Sequence, residues 1–339
     1  MPEPTHISGW DIGGAHIKLA YLDADSLVVQ QVSCPLWQGI AQLTAVLPTL
    51  LKQLPAQIDT HHITMTGELV DCFSDRQQGV RAIIEACEHT AAGKIKIFSV
   101  EGLISSQQAY AQPHLVASMN WLASARALAE KHEHAVLVDI GSTTTDILGI
   151  RNHQLQNSAY TDFERLLSGS LVYTGVVRSC VNTLAQSVEF KSHRVPLIAE
   201  NFAVTADIYR ILNKLPAHAD LGASMDGQAK NEQASLVRLA RMLGLDYVSS
   251  DYPDWYAVAA YLMHKQKQKI EQQLQSYEQD QQIQMLVAAG VGRFLVEEIA
   301  SDMHVKVHSF CQTIVNSDID CPPHADDCAP AVALLFQAD

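Results

Sequence analysis

Two short segments repeat one pattern: Asp11-Ile-Gly-Gly-Ala-His-Ile-Lys18 and Asp139-Ile-Gly-Ser-Thr-Thr-Thr-Asp146. Each is entered from an apolar run (Ile7 to Trp10; Ala135 to Val138) and leaves through another (Ile17 to Leu22; Ile147 to Ile150). The pattern predicts a β-hairpin: a strand, an acidic residue at its end, a tight glycine turn and a returning strand. Glycine admits φ > 0 and a close backbone approach, so the turn glycines are expected in that region. Such turns form N–H nests for phosphate oxygens, and the flanking carboxylate can orient a hydrated Mg²⁺. One such loop constrains little. Two, each opening one part of the chain, imply two related domains facing each other across a phosphate.

Bulk properties narrow the ligand class. The chain has 339 residues, enough for two domains, and 47% of them are apolar, which marks a folded globular protein. With 23 basic and 37 acidic residues the formal charge is −14. A net acidic field argues against nucleic acid or an anionic membrane as partner. The expected partner is a small phosphorylated molecule, held locally by backbone N–H groups, a metal or a few placed cations. No apolar run reaches membrane-span length, and the first residues lack a basic start and apolar run, so the cytoplasm is the expected location. Seven scattered cysteines fit reduced thiols.

Along the chain, strands are expected at 6–12, 17–23, 27–33, 63–66 and 95–100, with helices at 38–54 and 76–92. A strong helix is expected from Pro113 to His132, leading into the second hairpin as the crossover. Strands follow at 135–140, 144–151 and 154–159, then helices at 169–186, 202–213, 232–243 and 253–279. The last of these is rich in glutamine (Gln266, Gln268, Gln272, Gln273, Gln275) and reads as a solvated surface helix. Met285 to Gly292 reads as a buried strand ending in Gly290-Val-Gly292, and a helix starting at Phe294 gives a third glycine-led phosphate site. The closing Ala329–Phe336 reads as an apolar helix that returns to pack on the first domain. Cys321, His324 and Cys328, and the pair His304 and His308, lack paired zinc-site spacing and read as structural.

Hairpin loop, crossover helix, second loop and strand-Gly-x-Gly-helix occur in the order of the superfamily of acetate and sugar kinases, Hsp70 and actin, which the chain resembles. Val138-Asp-Ile-Gly-Ser-Thr-Thr-Thr-Asp146 is similar to the second phosphate loop of the hydantoinase A/oxoprolinase family. Further segments narrow the likeness: Gly9-Trp-Asp-Ile-Gly-Gly14 with Lys18, Met65-Thr-Gly-Glu-Leu69 with Asp71, and Gly169-Ser-Leu-Val-Tyr-Thr-Gly175 with Arg178. Glu200-Asn-Phe-Ala203, Thr205-Ala-Asp-Ile-Tyr209, and Asp226-Gly227 with Arg238 and Arg241-Met242 complete the set. Together they resemble the branch linked to tetrahydromethanopterin-dependent one-carbon metabolism, whose archaeal members build the methanofuran cofactor.

The resemblance implies an α/β, two-domain actin-like ATPase (ribonuclease H-like) fold with a phosphate-binding cleft between domains. Residues 1–115 plus about 325–339 would form the first domain. Residues 116–324 would form the second, with a helical insertion at about 187–280. It implies a transferase that condenses an aminomethylfuran methyl diphosphate with the phenol of a tyrosine or tyramine derivative and releases diphosphate. The alternative is an ATP-dependent kinase or oxoprolinase-like ATPase, with ATP in the same loops. Two departures weigh against ATP hydrolysis, and the first of them favours the diphosphate: Ala15-His16 stands where kinase relatives often have a hydroxyl residue, and Ser142 replaces a glycine common in oxoprolinases.

On that reading Asp11 and Asp139 orient Mg²⁺ through water. Gly13, Gly14, Gly141, Ser142, Thr143, Thr144, Gly290 and Gly292 hold phosphate oxygens. Lys18 either reaches a phosphate oxygen or is an ordinary strand lysine. Glu68, Asp71 and Asp146 are the candidate bases for the phenol, whose pKa is about 10. Tyr173, Thr174, Arg178 and Asn201 are candidate substrate contacts, Arg178 with an ion-pair role as the other option. The sequence leaves the oligomeric state open, a homodimer among the options.

Overall fold

A computed structural model describes residues 6–156, 158–280 and 283–337. The chain divides into two compact units. One comprises Met1–Leu137, Leu148–Glu164 and His308–Asp339; the other comprises Val138–Ile147 and Arg165–Val307.

The first sheet uses β1 (Ile7–Ile12), β2 (His16–Asp23), β3 (Ser26–Ser33), β4 (Thr60–Met65), β5 (Lys94–Ser99) and β6 (Gly102–Ser105), in the order β3-β2-β1-β4-β5-β6. β1, β2 and β3 run antiparallel as a meander, while β4 and β5 continue parallel to β1. That mixed order is the one expected of a ribonuclease H-like domain. Helices α1 (Ala41–Leu51), α2 (Arg76–Thr90), α3 (Ser106–Ala111) and α4 (Asn120–Lys131) complete the early part of this unit. The α2 boundaries follow local chemistry: Asp75 caps its N-terminus by accepting the Gln78 N–H at 2.8 Å. The core joins Ile12, Ile17 and Leu19 to Leu43, Leu47, Val80, Ile83 and Ile84.

The second sheet uses β7 (His134–Ile140), β8 (Thr145–Arg151), β9 (Gln154–Leu155), then, after helix α5 (Asp162–Ser168), β10 (Leu171–Val172). A separate two-stranded ribbon, β11 (Ser187–Phe190) and β12 (His193–Pro196), leads to helices α6 (Thr205–Ile211), α7 (Glu232–Arg241) and α8 (Tyr252–Asp280). β13 (Met285–Ala289), α9 (Arg293–Met303) and β14 (Lys306–Ser309) return to the sheet, whose order is β10-β8-β7-β13-β14. The chain ends with α10 (Phe310–Ile314) and α11 (Ala329–Leu335).

As expected, the last helix packs on the first sheet. Every residue of α11 is buried, and Gly9 makes room for it: a Cβ there would lie 2.0 Å from the Ala331 carbonyl oxygen. His62 Nδ1 lies 2.8 Å from the Leu334 carbonyl and ties α11 to β4.

Three expected elements differ. The helix expected over 113–132 is broken. A short turn at Pro113–Leu115 and helix α4 are separated by Val116–Met119, where Ser118 takes φ +56° and Ala117 bridges Met65. The helix expected at 169–186 does not form. Gly169 turns at φ +75°, β10 follows, and Gly175 is pressed against residues 142 and 143, so a long-range backbone contact overrides helical periodicity. The glutamine-rich α8 is not simply a solvated helix. Gln266, Leu262, Ile270 and Leu274 are fully buried, because the helix carries one face into the unit's interior.

Candidate functional sites in the two units

Both hairpin turns close in the same way. The Gly13 N–H donates to the His16 carbonyl at 2.9 Å, and the Gly141 N–H to the Thr144 carbonyl at 2.9 Å. The expectation of positive φ at these glycines fails: Gly13, Gly14 and Gly141 all lie outside that region, while Gly290 takes φ +80°. The glycines of the first loop are needed for proximity. A Cβ at Gly14 would lie 2.7 Å from Val70 Cγ1, and one at Gly13 would lie 3.0 Å from the His16 carbonyl oxygen.

In the first unit, β1 carries Asp11 to the strand end and β2 brings Lys18 opposite it in register. Asp11 is buried, and its Oδ2 lies 3.8 Å from the Lys18 ammonium. The loop carbonyls are taken by the protein: Gly14 accepts from the Leu36 N–H at 3.0 Å, Ala15 from Cys34 at 2.9 Å, and Ile12 from Thr66 at 3.0 Å. With those acceptors engaged, less oxygen is left facing outward to repel an anion. Gly13 and Gly14 themselves remain partly exposed.

Next to this loop, the turn Gly67–Leu69 holds Glu68, which is fully buried. Ser118 Oγ donates to Glu68 Oε1 at 2.7 Å. Burial pushes the Glu68 carboxyl up to about 7, against the opposing pull of the Ser118 hydrogen bond. The Arg76–Asp162 ion pair, at 2.5 Å, supplies the nearby charges. Asp71 is exposed.

In the second unit, the loop Gly141–Thr144 is supported by backbone. The Ser142 carbonyl accepts from Val177 (3.1 Å) and Arg178 (2.8 Å), Gly141 from Val176 (3.1 Å), and Ile140 from Gly292 (2.8 Å). Gly175 fits so closely that a Cβ would lie 2.4 Å from the Thr143 nitrogen. A Cβ at Gly290 would lie 2.4 Å from Asp139 Oδ1 and 2.3 Å from the Ile140 carbonyl oxygen. Gly290 therefore makes space for the Asp139 carboxylate. Gly292 is filled on both sides by Ile140 and Val176, so its bareness serves packing here. The Ser142 and Thr143 hydroxyls lie 3.4 Å apart and are partly exposed, as is Thr144.

Asp146 is engaged by the buried Arg165, whose Nη2 lies 2.6 Å away and also donates to the Ser170 carbonyl at 3.1 Å. Thr174 is buried: its carbonyl accepts from Thr145 Oγ1 at 2.7 Å and its hydroxyl from Gln266 Nε2 at 2.9 Å. Tyr173 is 66% exposed, and Arg178 and Asn201 are exposed. Asp226 pairs with Arg238 and Arg241 at 3.1 Å each, and Arg238 also binds Asp207 at 2.7 Å. Those family-like residues thus knit α6 and α7 together.

Sequence reasoning missed Gln266, Ser118 and Gly175 as supports. Gln266 accepts from Tyr209 OH at 2.7 Å and donates to the Gly175 carbonyl at 2.9 Å, linking α6 and α8 to the segment that braces the second loop. The signal for Gly175 was present: two glycines, Gly169 and Gly175, inside an apolar run argue against a helix.

Among the described residues, no group of three His, Cys, Asp or Glu side chains is placed to hold a metal. A single buried carboxylate in each loop, with hydroxyls beside one of them, fits Mg²⁺, which keeps several waters and takes few protein ligands. No helix of the described residues is long and apolar enough to cross a membrane.

The Hydantoinase/oxoprolinase family model matches residues 59–316. The chain belongs to this family. It is 31% identical over 301 residues to the "(4-{4-[2-(gamma-L-glutamylamino)ethyl]phenoxymethyl}furan-2-yl)methanamine synthase" of Methanocaldococcus jannaschii, covering 88% of this chain and 90% of that protein. A protein of the same name from Methanococcus vannielii is 26% identical over 178 residues, 50% of this chain and 77% of that one. Among solved structures, nucleotide-free acetone carboxylase superposes with a TM-score of 0.56 at 11% identity, over 97% of this chain and 70% of that one. That likeness is one of fold, and the fold of this family member is the actin-like ATPase (ribonuclease H-like) α/β fold.

Proposed function

We propose that this protein is a transferase of methanofuran-type cofactor biosynthesis. It joins an aminomethylfuran methyl diphosphate to the phenol of a tyrosine or tyramine derivative and releases diphosphate. The observation that carries the reading is the 31% identity to the archaeal synthase over nearly the full length of both chains. The name of that relative describes an aryl ether between a phenol and a furan methylene, the bond this reaction makes.

The local chemistry supports it. Carbon–oxygen cleavage places negative charge on the leaving diphosphate. Preorganised donors stabilise such charge most where water is scarce. Each loop offers such donors by itself: Gly14 in the first unit, and Ser142, Thr143 and Thr144 in the second, while the Gly13 and Gly141 N–H groups close their own turns. Lys18, 3.8 Å from Asp11, supplies a cation at the first loop. Mg²⁺, oriented through water by Asp11 in the one loop or by Asp139 in the other, would neutralise diphosphate charge. The electron-rich furan shares positive charge left on its methylene. Of the three candidate bases, Glu68 fits the phenol's proton best: Asp146 is bound to Arg165, and Asp71 stands in solvent.

The test is incubation with the furan diphosphate, Mg²⁺ and either tyrosine or glutamyltyramine, followed by mass spectrometry. Ether product with equimolar diphosphate is expected, and the preferred acceptor identifies itself. Absence of ether alongside steady ATP consumption would overturn the reading in favour of an ATP-dependent enzyme.

A further inference from the structure

Glu68 is held from two sides. A Cβ at Gly67 would lie 3.1 Å from the Gly13 carbonyl oxygen, and one at Gly79 of α2 would lie 2.2 Å from the Glu68 carbonyl oxygen. The backbone of Glu68 is therefore wedged between the first loop and α2. Its carboxyl group is asymmetric. Oε1 accepts from Ser118 Oγ, while Oε2 is buried and makes no well-formed hydrogen bond among the described residues, the residue's own backbone N–H being the other donor near the carboxylate. Buried carboxyl oxygens are ordinarily satisfied, so an open one at a phosphate loop calls for a chemical explanation. Ser118 is unusual as well. It takes φ +56°, a region that residues with a side chain rarely occupy, and it does so where the expected helix breaks. Strained backbone of this kind concentrates at working sites.

We propose that Ser118 is a positioning residue: by occupying Oε1 it commits Oε2 of Glu68 as the atom that takes the acceptor phenol's proton. This rests on the transferase reading above. In the step, the phenol O–H bond breaks and an Oε2–H bond forms. The phenolate oxygen bonds to the furan methylene, and the bond from that carbon to the diphosphate breaks, its electron pair leaving on the diphosphate oxygen. The proton on Oε2 passes to solvent after the ether departs.

The charged groups facing Glu68 are Arg76 of α2 and Asp162 of α5, paired with each other, so neither adds a full unopposed charge. A carboxyl pushed by burial to about 7 is partly ionised near neutrality and a stronger base than an exposed one. The Ser118 hydrogen bond lowers that value, so its loss must raise it. Because the base acts when ionised, activity rises with pH through the Glu68 titration.

Three variants test this: Ser118→Ala, Ser118→Gly, which also relieves the left-handed strain, and Ser118→Thr, which keeps the hydroxyl. The acidic limb of kcat is expected to move up by about half a pH unit or more in the Ala and Gly variants, the effect of one lost hydrogen bond. KM for both substrates should hold within roughly twofold, and Thr should restore the limb. The carbonyl stretch of the protonated carboxylic acid, followed by infrared titration with Glu68→Gln as blank, should shift in the same direction. An unmoved limb in both the Ala and Gly variants would overturn the proposal, as would full activity in Glu68→Gln. If the wild type makes no ether, the transferase reading and the proton step fall together. The infrared titration then still decides whether Ser118 holds Oε1.

Discussion

The two glycine hairpins share a sequence pattern and a turn hydrogen bond, yet they are built differently. The first is braced largely by neighbouring segments of its own sheet region: Cys34 and Leu36 take its carbonyls, Val70 fills the space at Gly14, and Lys18 faces Asp11 across the hairpin. The second is braced by two later segments of its own unit. Residues 176–178 bond its carbonyls, and Gly290, far along the sequence, leaves room for Asp139. Similar loops can thus depend on unlike supports. The first has its tolerance limits at residues 13 and 14 and at Gly67 beside them, and the second has them outside itself, at Gly175 and Gly290.

The sharpest way to break this comparison is to add one methyl group. Gly290→Ala combines a disfavoured φ with contacts of 2.3 Å and 2.4 Å. It is expected to lose about 3 kcal/mol or more of stability, or to be insoluble. Gly141→Ala meets only the Thr144 carbonyl oxygen, at 3.5 Å. It is expected to stay within about 1 kcal/mol of the wild type, apart from any loss of phosphate binding. Thermal unfolding of the pair decides, and equal losses would refute the idea that the second loop's limits lie outside it.

Next in size are the loop carboxylates. Asp11→Asn and Asp139→Asn should each lower Mg²⁺-dependent diphosphate release by roughly a hundredfold or more, with the melting temperature little changed. Retained release in either variant would remove that loop from the chemistry and make the two hairpins unequal in function as well as in support.

The smallest effect is expected at Lys18. Its 3.8 Å pairing with Asp11 is partly exposed, so Lys18→Met should change stability by less than about 1 kcal/mol. If the lysine also meets a phosphate oxygen, KM for the diphosphate substrate rises severalfold. An unchanged KM would leave Lys18 with no part in binding the diphosphate.

Much of the fold was legible because it rests on local periodicity. The meander at 7–33, helix α2 with its Asp75 cap, and the strand before Gly290 all follow from alternation, spacing and capping residues. The final helix was legible as an apolar run with no polar face, which must be covered on all sides. The misreadings have one cause. The segments at 113–132 and 169–186 are helical by composition, but each is bent by a contact remote in sequence: Ser118 with Glu68, and Gly175 with Ser142 and Thr143. Gln266 was misread for the same reason, since a glutamine buried among Tyr209, Thr174 and Gly175 carries no local mark.

By itself, then, the sequence determined that the chain holds two glycine hairpins, each led by a carboxylate, and that an acidic protein must grip an anion locally. Hydrophobic alternation and turn residues act over a few neighbours, so they can be read in order along the chain. Only the tertiary structure decided what each glycine and carboxylate does. Gly13, Gly14 and Gly141 do not use left-handed backbone, and Gly290 does. Asp146 is bound to an arginine, while Glu68 is buried with one oxygen held and the other open. Those distinctions depend on which remote groups come within a few ångströms, and on how completely water is removed around them.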